Sequence, residues 1–104
     1  MIRYQVQLSP RHTADDVEAW MENLGRREGF AVGPRTSLRT IPHSAHWHLT
    51  RGRGAGTVEV TLHPSGAVVI AVHDNRRGTW ALEAAAVLVE NVRSSLGCDP
   101  PKAG

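Results

Sequence analysis

The sequence predicts an α+β fold: a two-layer sandwich of order β-α-β-β-β-α, with a four-stranded, mostly antiparallel sheet carrying both helices on one face. Three observations lead there. Four segments alternate apolar and polar residues with period two, the signature of half-buried strands. Two longer segments repeat their apolar residues with helical period. The last three strands follow one another across short, glycine-containing turns, as hairpin-connected neighbours do.

Residues 2–8 place Ile2, Tyr4, Val6 and Leu8 on one side and Arg3, Gln5 and Gln7 on the other, and Ser9-Pro10 ends the strand. A helix follows over 13–25. Thr13 can cap it, Asp16 completes a capping box, and Val17, Trp20, Met21 and Leu24 form its apolar face. Gly25 or Gly29 stops it. Residues 31–44 hold two prolines and no period, and read as a long loop with a short strand around Leu38–Ile41.

The next strand, His46–Thr50, turns Trp47 and Leu49 inward and His46 and His48 outward. "RGRGAG" reads as a turn. The strand at 57–63 buries Val58, Val60 and Leu62, "PSG" turns the chain again, and Val68, Ile70 and Val72 are the inward residues of the last strand. The loop "DNRRG" leads to a second helix over 79–96. Thr79 is its expected cap and Gly97 its expected stop, and Ala81, Ala85, Leu88, Val92 and Leu96 form its inner stripe. The length fits a single domain over 1–97, followed by a flexible tail, 98–104. From the first helix onward the order α-β-β-β-α resembles that of double-stranded RNA-binding domains. Those carry a lysine cluster at the start of their second helix. Here the corresponding stretch reads "RRGTWALEAAA", with two arginines ahead of the helix and no lysine. No family is assigned on this.

Composition excludes several classes. The single cysteine, Cys98, cannot form an internal disulfide, which points to a reducing, cytoplasmic setting. No signal peptide is visible, and no apolar run approaches the ~20 residues of a membrane span. The net charge is only +2. It is uneven: residues 31–77 contain Arg35, Arg39, Arg51, Arg53, Arg76 and Arg77 against Glu59 and Asp74. That excess can attract phosphate but is far from the basic stripe of a dedicated nucleic-acid binder.

Two candidate sites remain. The first is an anion site at Arg51 and Arg53 in the glycine-rich turn and at Arg76 and Arg77 ahead of the second helix, where free backbone N–H groups add their own field. The second is the outward face of the sheet: His46, His48, Glu59, Thr61 and His73. If the turns centre on 52–55 and on Ser65, His48 lies opposite Glu59, and His46 lies opposite Thr61. His73 then joins His48 and Glu59 in one neighbourhood, a set able to hold zinc or to act as acid and base. A titrating pair in which Glu59 favours the charged form of His48 is the simpler expectation. No HExxH, CxxC, catalytic triad or nucleotide-binding loop occurs, so no catalytic residue, metal or cofactor is assigned. Val87 and Trp80 on or beside the polar stripe of the second helix, and Ala67, Val69 and Ala71 on the open face, suggest self-association as a homodimer or docking of a protein partner. The functional expectation is a small non-enzymatic binding or interaction domain. A weak nucleic-acid or phosphate binder using the four arginines comes second, and a metal or acid–base site on the His48/Glu59/His73 face third.

Overall fold

The computed structural model describes residues 2–8, 12–52, 56–72 and 79–95 of the 104-residue chain. The elements are β1 (Ile2–Gln7), α1 (Ala14–Glu28), β2 (Ala31–Val32), β3 (Ala45–Thr50), β4 (Val58–Leu62), β5 (Ala67–Val72) and α2 (Thr79–Ser95). Among the described residues the architecture is α+β, with two helices and one antiparallel sheet. That sheet has five strands rather than the four expected, in the order β1-β5-β4-β3-β2.

The additional strand, β2, is two residues long and pairs Ala31 with Thr50 and Val32 with Leu49. Gly33 N–H continues the ladder to the His48 carbonyl at 2.9 Å. Pro34, with no N–H, interrupts it. Thr36 resumes it by exchanging two backbone hydrogen bonds with His46, at 2.9 and 2.8 Å. A strand this short, broken by a proline, shows no alternation. The strand expected around Leu38–Ile41 is instead a turn, closed by Ile41 N–H on the Leu38 carbonyl.

Helix α1 begins as expected. Thr13 Oγ1 accepts from the Asp16 N–H at 3.2 Å, and Asp16 Oδ2 accepts from the Thr13 N–H at 2.8 Å. It runs past Gly25 to end at Gly29, whose φ of 86° is the left-handed conformation glycine adopts without penalty. Gly25 serves that ending: the Gly29 and Phe30 N–H groups both donate to its carbonyl, and a Cβ there would stand 2.6 Å from the Phe30 carbonyl oxygen. Helix α2 begins at Thr79; the residues ahead of it, and Leu96, Gly97 and the tail, lie outside the described residues.

The pairing places Trp47, Val60, Ile70 and Tyr4 in one row across the sheet, with Leu49, Val58, Val72 and Ile2 in the next, all on one face. Val17, Met21 and Leu24 of α1 and Ala81, Ala85, Leu88, Val89 and Val92 of α2 join this face in a single core cluster. The Trp47 indole N–H donates to Glu18 of α1 at 3.3 Å. The opposite face carries the rows Gln5, Val69, Thr61, His46 and Arg3, Ala71, Glu59, His48. A one-residue slip of β3 would exchange Trp47 for His46 in the core, so burial of the indole fixes where the histidines point. No helix among the described residues is long and apolar enough to cross a membrane.

The expected surface patches are altered by packing. Trp80 and Val87 are partly buried against the core. Ala67 and Ala71 are only 6% and 8% exposed.

Candidate functional site

The site is built on two adjacent strands. His46 and His48, two residues apart on β3, project from the face that carries no helix. The register sets His48 opposite Glu59 and His46 opposite Thr61, as the turn positions predicted. Among the described residues, His46 joins His48 and Glu59 in one group; His73, expected in the same neighbourhood, lies outside the described residues. Sequence reasoning placed His46 on the correct face but counted it only against its direct partner Thr61. The diagonal reach from His46 to Glu59, two residues away on the neighbouring strand, brings it in.

The distances are short. His46 Nε2 lies 3.0 Å from His48 Nε2 and 3.4 Å from Glu59 Oε1, and His48 Nε2 lies 3.9 Å from the same oxygen. The rings meet edge to face, with centroids 4.9 Å apart at 79°. On its other side His46 Nδ1 is 2.7 Å from Thr61 Oγ1. With the ring proton on Nδ1, His46 donates to Thr61, and its Nε2 lone pair faces His48 and Glu59.

The three residues differ sharply in burial. The His46 side chain is 8% exposed, that of Glu59 26% and that of His48 58%. Burial pushes the His46 pKa below its ordinary value, His48 beside it pushes the same way, and Glu59 opposes both. At His46 desolvation outweighs the carboxylate.

His46, Glu59 and Thr61 form part of the floor of a hollow of about 350 Å³, while His48 stands beside it, against Pro34 and Thr36. Val69 and Ala71 of β5 and Arg3 and Gln5 of β1 extend that floor. Leu38 and Ile41 wall it from the 33–44 loop, and no helix residue lines it. The loop is tied in place by hydroxyl groups. The Ser37 hydroxyl donates to the Ser44 carbonyl at 2.7 Å, the Ser44 hydroxyl accepts from the Leu38 N–H at 3.0 Å, and the Thr36 hydroxyl donates to the His46 carbonyl at 3.2 Å. The wall residues escaped sequence reading because nothing periodic marks them.

The arginine site is not brought together among the described residues. Arg53, Arg76 and Arg77 lie outside them. Arg51 is exposed and shares a smaller hollow with Glu28 and Glu83, whose carboxylates weaken its field toward an anion. Part of the basic excess is also compensated: Arg35 pairs with Asp15 at 2.8 Å and with Glu18 at 3.0 Å.

No protein-family model, curated protein sequence or solved structure matches this chain significantly.

Proposed function

We propose that this protein is a small non-enzymatic binding domain that takes its ligand on the helix-free face of the sheet, in the hollow centred on His46. The observation that carries the reading is a buried imidazole, hydrogen-bonded to Thr61 and converging with His48 and Glu59, in the floor of that hollow. A few convergent polar groups beside apolar wall residues are the ordinary make-up of a ligand site. Burying these polar groups costs free energy that the core does not require. Thr61, His46 and Glu59 do line up as hydroxyl, imidazole and carboxylate. Thr61 is 8% exposed, however, so its hydroxyl is a support for His46 rather than an accessible nucleophile.

The test is amide NMR of the isotope-labelled protein with three probes added separately: zinc chloride, inorganic phosphate and a single-stranded RNA 12-mer. The reading expects perturbations concentrated on Gln5, His46, His48, Glu59, Thr61 and Ala71 with at least one probe. Shifts confined to Arg51, Arg53, Arg76 and Arg77 would favour the phosphate or nucleic-acid reading instead.

A second reading, self-association, is favoured by one observation. β1 is an edge strand, and its Ile2 and Tyr4 side chains are 39% and 37% exposed. An open edge with apolar side chains can pair with a second copy across a two-fold axis. Light scattering after size exclusion should then give a dimer that Tyr4→Lys reduces to a monomer. A monomer across the accessible concentration range would remove this reading.

A further inference from the structure

The donor atoms on this face have the spacing that a first-row transition-metal ion imposes on its ligands. Two neutral imidazoles and a carboxylate are a recurrent zinc donor set. The test lies in their mutual distances. A point equidistant from His46 Nε2, His48 Nε2 and Glu59 Oε1, given edges of 3.0, 3.4 and 3.9 Å, lies about 2.0 Å from each atom, which matches zinc–imidazole and zinc–carboxylate bonds of about 2.0–2.2 Å. The three atoms therefore need almost no movement to share one ion.

We infer that His46, His48 and Glu59 form a zinc site, with the Nε2 atoms of both histidines and one Glu59 oxygen as ligands and Thr61 as the group that orients His46. This rests on the reading of the helix-free face as the binding surface and names its ligand. A metal-bound imidazole normally donates its other N–H to an oxygen, which fixes tautomer and ring orientation. The 2.7 Å contact between His46 Nδ1 and Thr61 Oγ1 places an oxygen where that bond is made once the ring proton sits on Nδ1.

The charges also fit. One carboxylate and two neutral rings leave the bound ion with a net single positive charge, and three protein ligands leave a fourth tetrahedral position. Two of the donors, His46 and Glu59, line the hollow and the third, His48, is 58% exposed. A site of this kind is reached by water or a ligand atom, as an open zinc site is and a closed structural one is not. His48, the most exposed of the three, is the ligand whose removal disturbs the fold least.

The experiment is calorimetric titration of zinc chloride into tag-free, chelator-stripped protein at neutral pH, with the melting temperature of each metal-free variant measured beforehand. One zinc per chain should bind. His48→Ala and Glu59→Gln should each weaken binding by more than tenfold while the metal-free melting temperature stays close to that of the parent. Thr61→Val, which keeps all three ligands, should weaken it by about 10–100-fold. His63→Ala, which removes a histidine lining the same hollow without touching the cluster, should leave it unchanged. Cobalt(II) in place of zinc should show the intense visible bands of a four-coordinate centre, and these should be lost in His48→Ala. No zinc binding at micromolar protein, or binding that survives both His48→Ala and Glu59→Gln, overturns the inference. If zinc fails while phosphate or RNA perturbs the hollow in the NMR experiment, the binding surface stands and its assigned ligand falls. If no probe perturbs the hollow, both fall.

Discussion

Replacing Thr61 by valine isolates one hydrogen bond. The Thr61 hydroxyl and His46 Nδ1 are 2.7 Å apart, and the two residues are only 8% and 6% exposed. Valine keeps the branched shape on a strand that favours it, so no sizeable cavity opens. What remains is a buried ring nitrogen without its partner, at a cost of about 1–3 kcal/mol. For a domain of this size each kcal/mol lowers the melting temperature by about 4–8 °C, so a fall on the order of 5–20 °C is expected. Urea unfolding of metal-free protein, with mid-point and slope fitted together, measures the free energy directly. A variant as stable as the parent, with an unchanged slope, would show that His46 does not depend on Thr61 and would remove the basis for its orientation.

Leu88→Ala should cost about 2–5 kcal/mol in the same assay, because Leu88 is fully buried between α2 and the sheet; a loss below about 1 kcal/mol would contradict that packing. Arg35→Ala should cost less than about 1 kcal/mol although it breaks two ion pairs, since Arg35 is 40% and Asp15 82% exposed. The metal-free protein should lose stability on acidification. The His46 pKa is lowered in the fold, so the unfolded chain takes up the proton more readily. The stability from the neutral imidazole is fully present above the unfolded value of about 6.5 and is lost as pH falls through the lower folded one. His48 and Glu59 contact this ring directly, and Arg3 and His63 line the same hollow. An NMR titration placing the His46 pKa above about 6.5 would reverse the sign and refute it.

The sequence made the sheet legible where burial is one-sided. Trp47 and Leu49 against His46 and His48, and Val58 and Val60 against Glu59 and Thr61, alternate cleanly, and the turn residues then set the register. The capping box of α1 was legible because it depends only on Thr13 and Asp16, three residues apart. β2 was not. Its pairing depends on β3 offering a free edge, and that is decided by the whole sheet rather than by Ala31 and Val32. The hollow was half legible. His46, His48, Glu59 and Thr61 share a face by period alone, but Leu38 and Ile41 reach it only through a loop held by Ser37 and Ser44. His46 was counted only against its direct partner Thr61, while side chains as long as His and Glu also bridge the diagonal between neighbouring strands. Val87 read as a surface residue because it lies off the main stripe of α2; the buried face is broader than one stripe and includes Val89.

The most direct test of the account is the long-range ¹H–¹⁵N spectrum of the imidazole rings, recorded without metal and with one equivalent of zinc. The account predicts the His46 proton on Nδ1 in both states, and it predicts that on adding zinc the Nε2 resonances of His46 and His48 move to metal-coordinated positions while those of His12, His43 and His63 stay where they are. A His46 ring protonated at Nε2 in the zinc-loaded protein, or zinc-induced shifts confined to the other histidines, would contradict it.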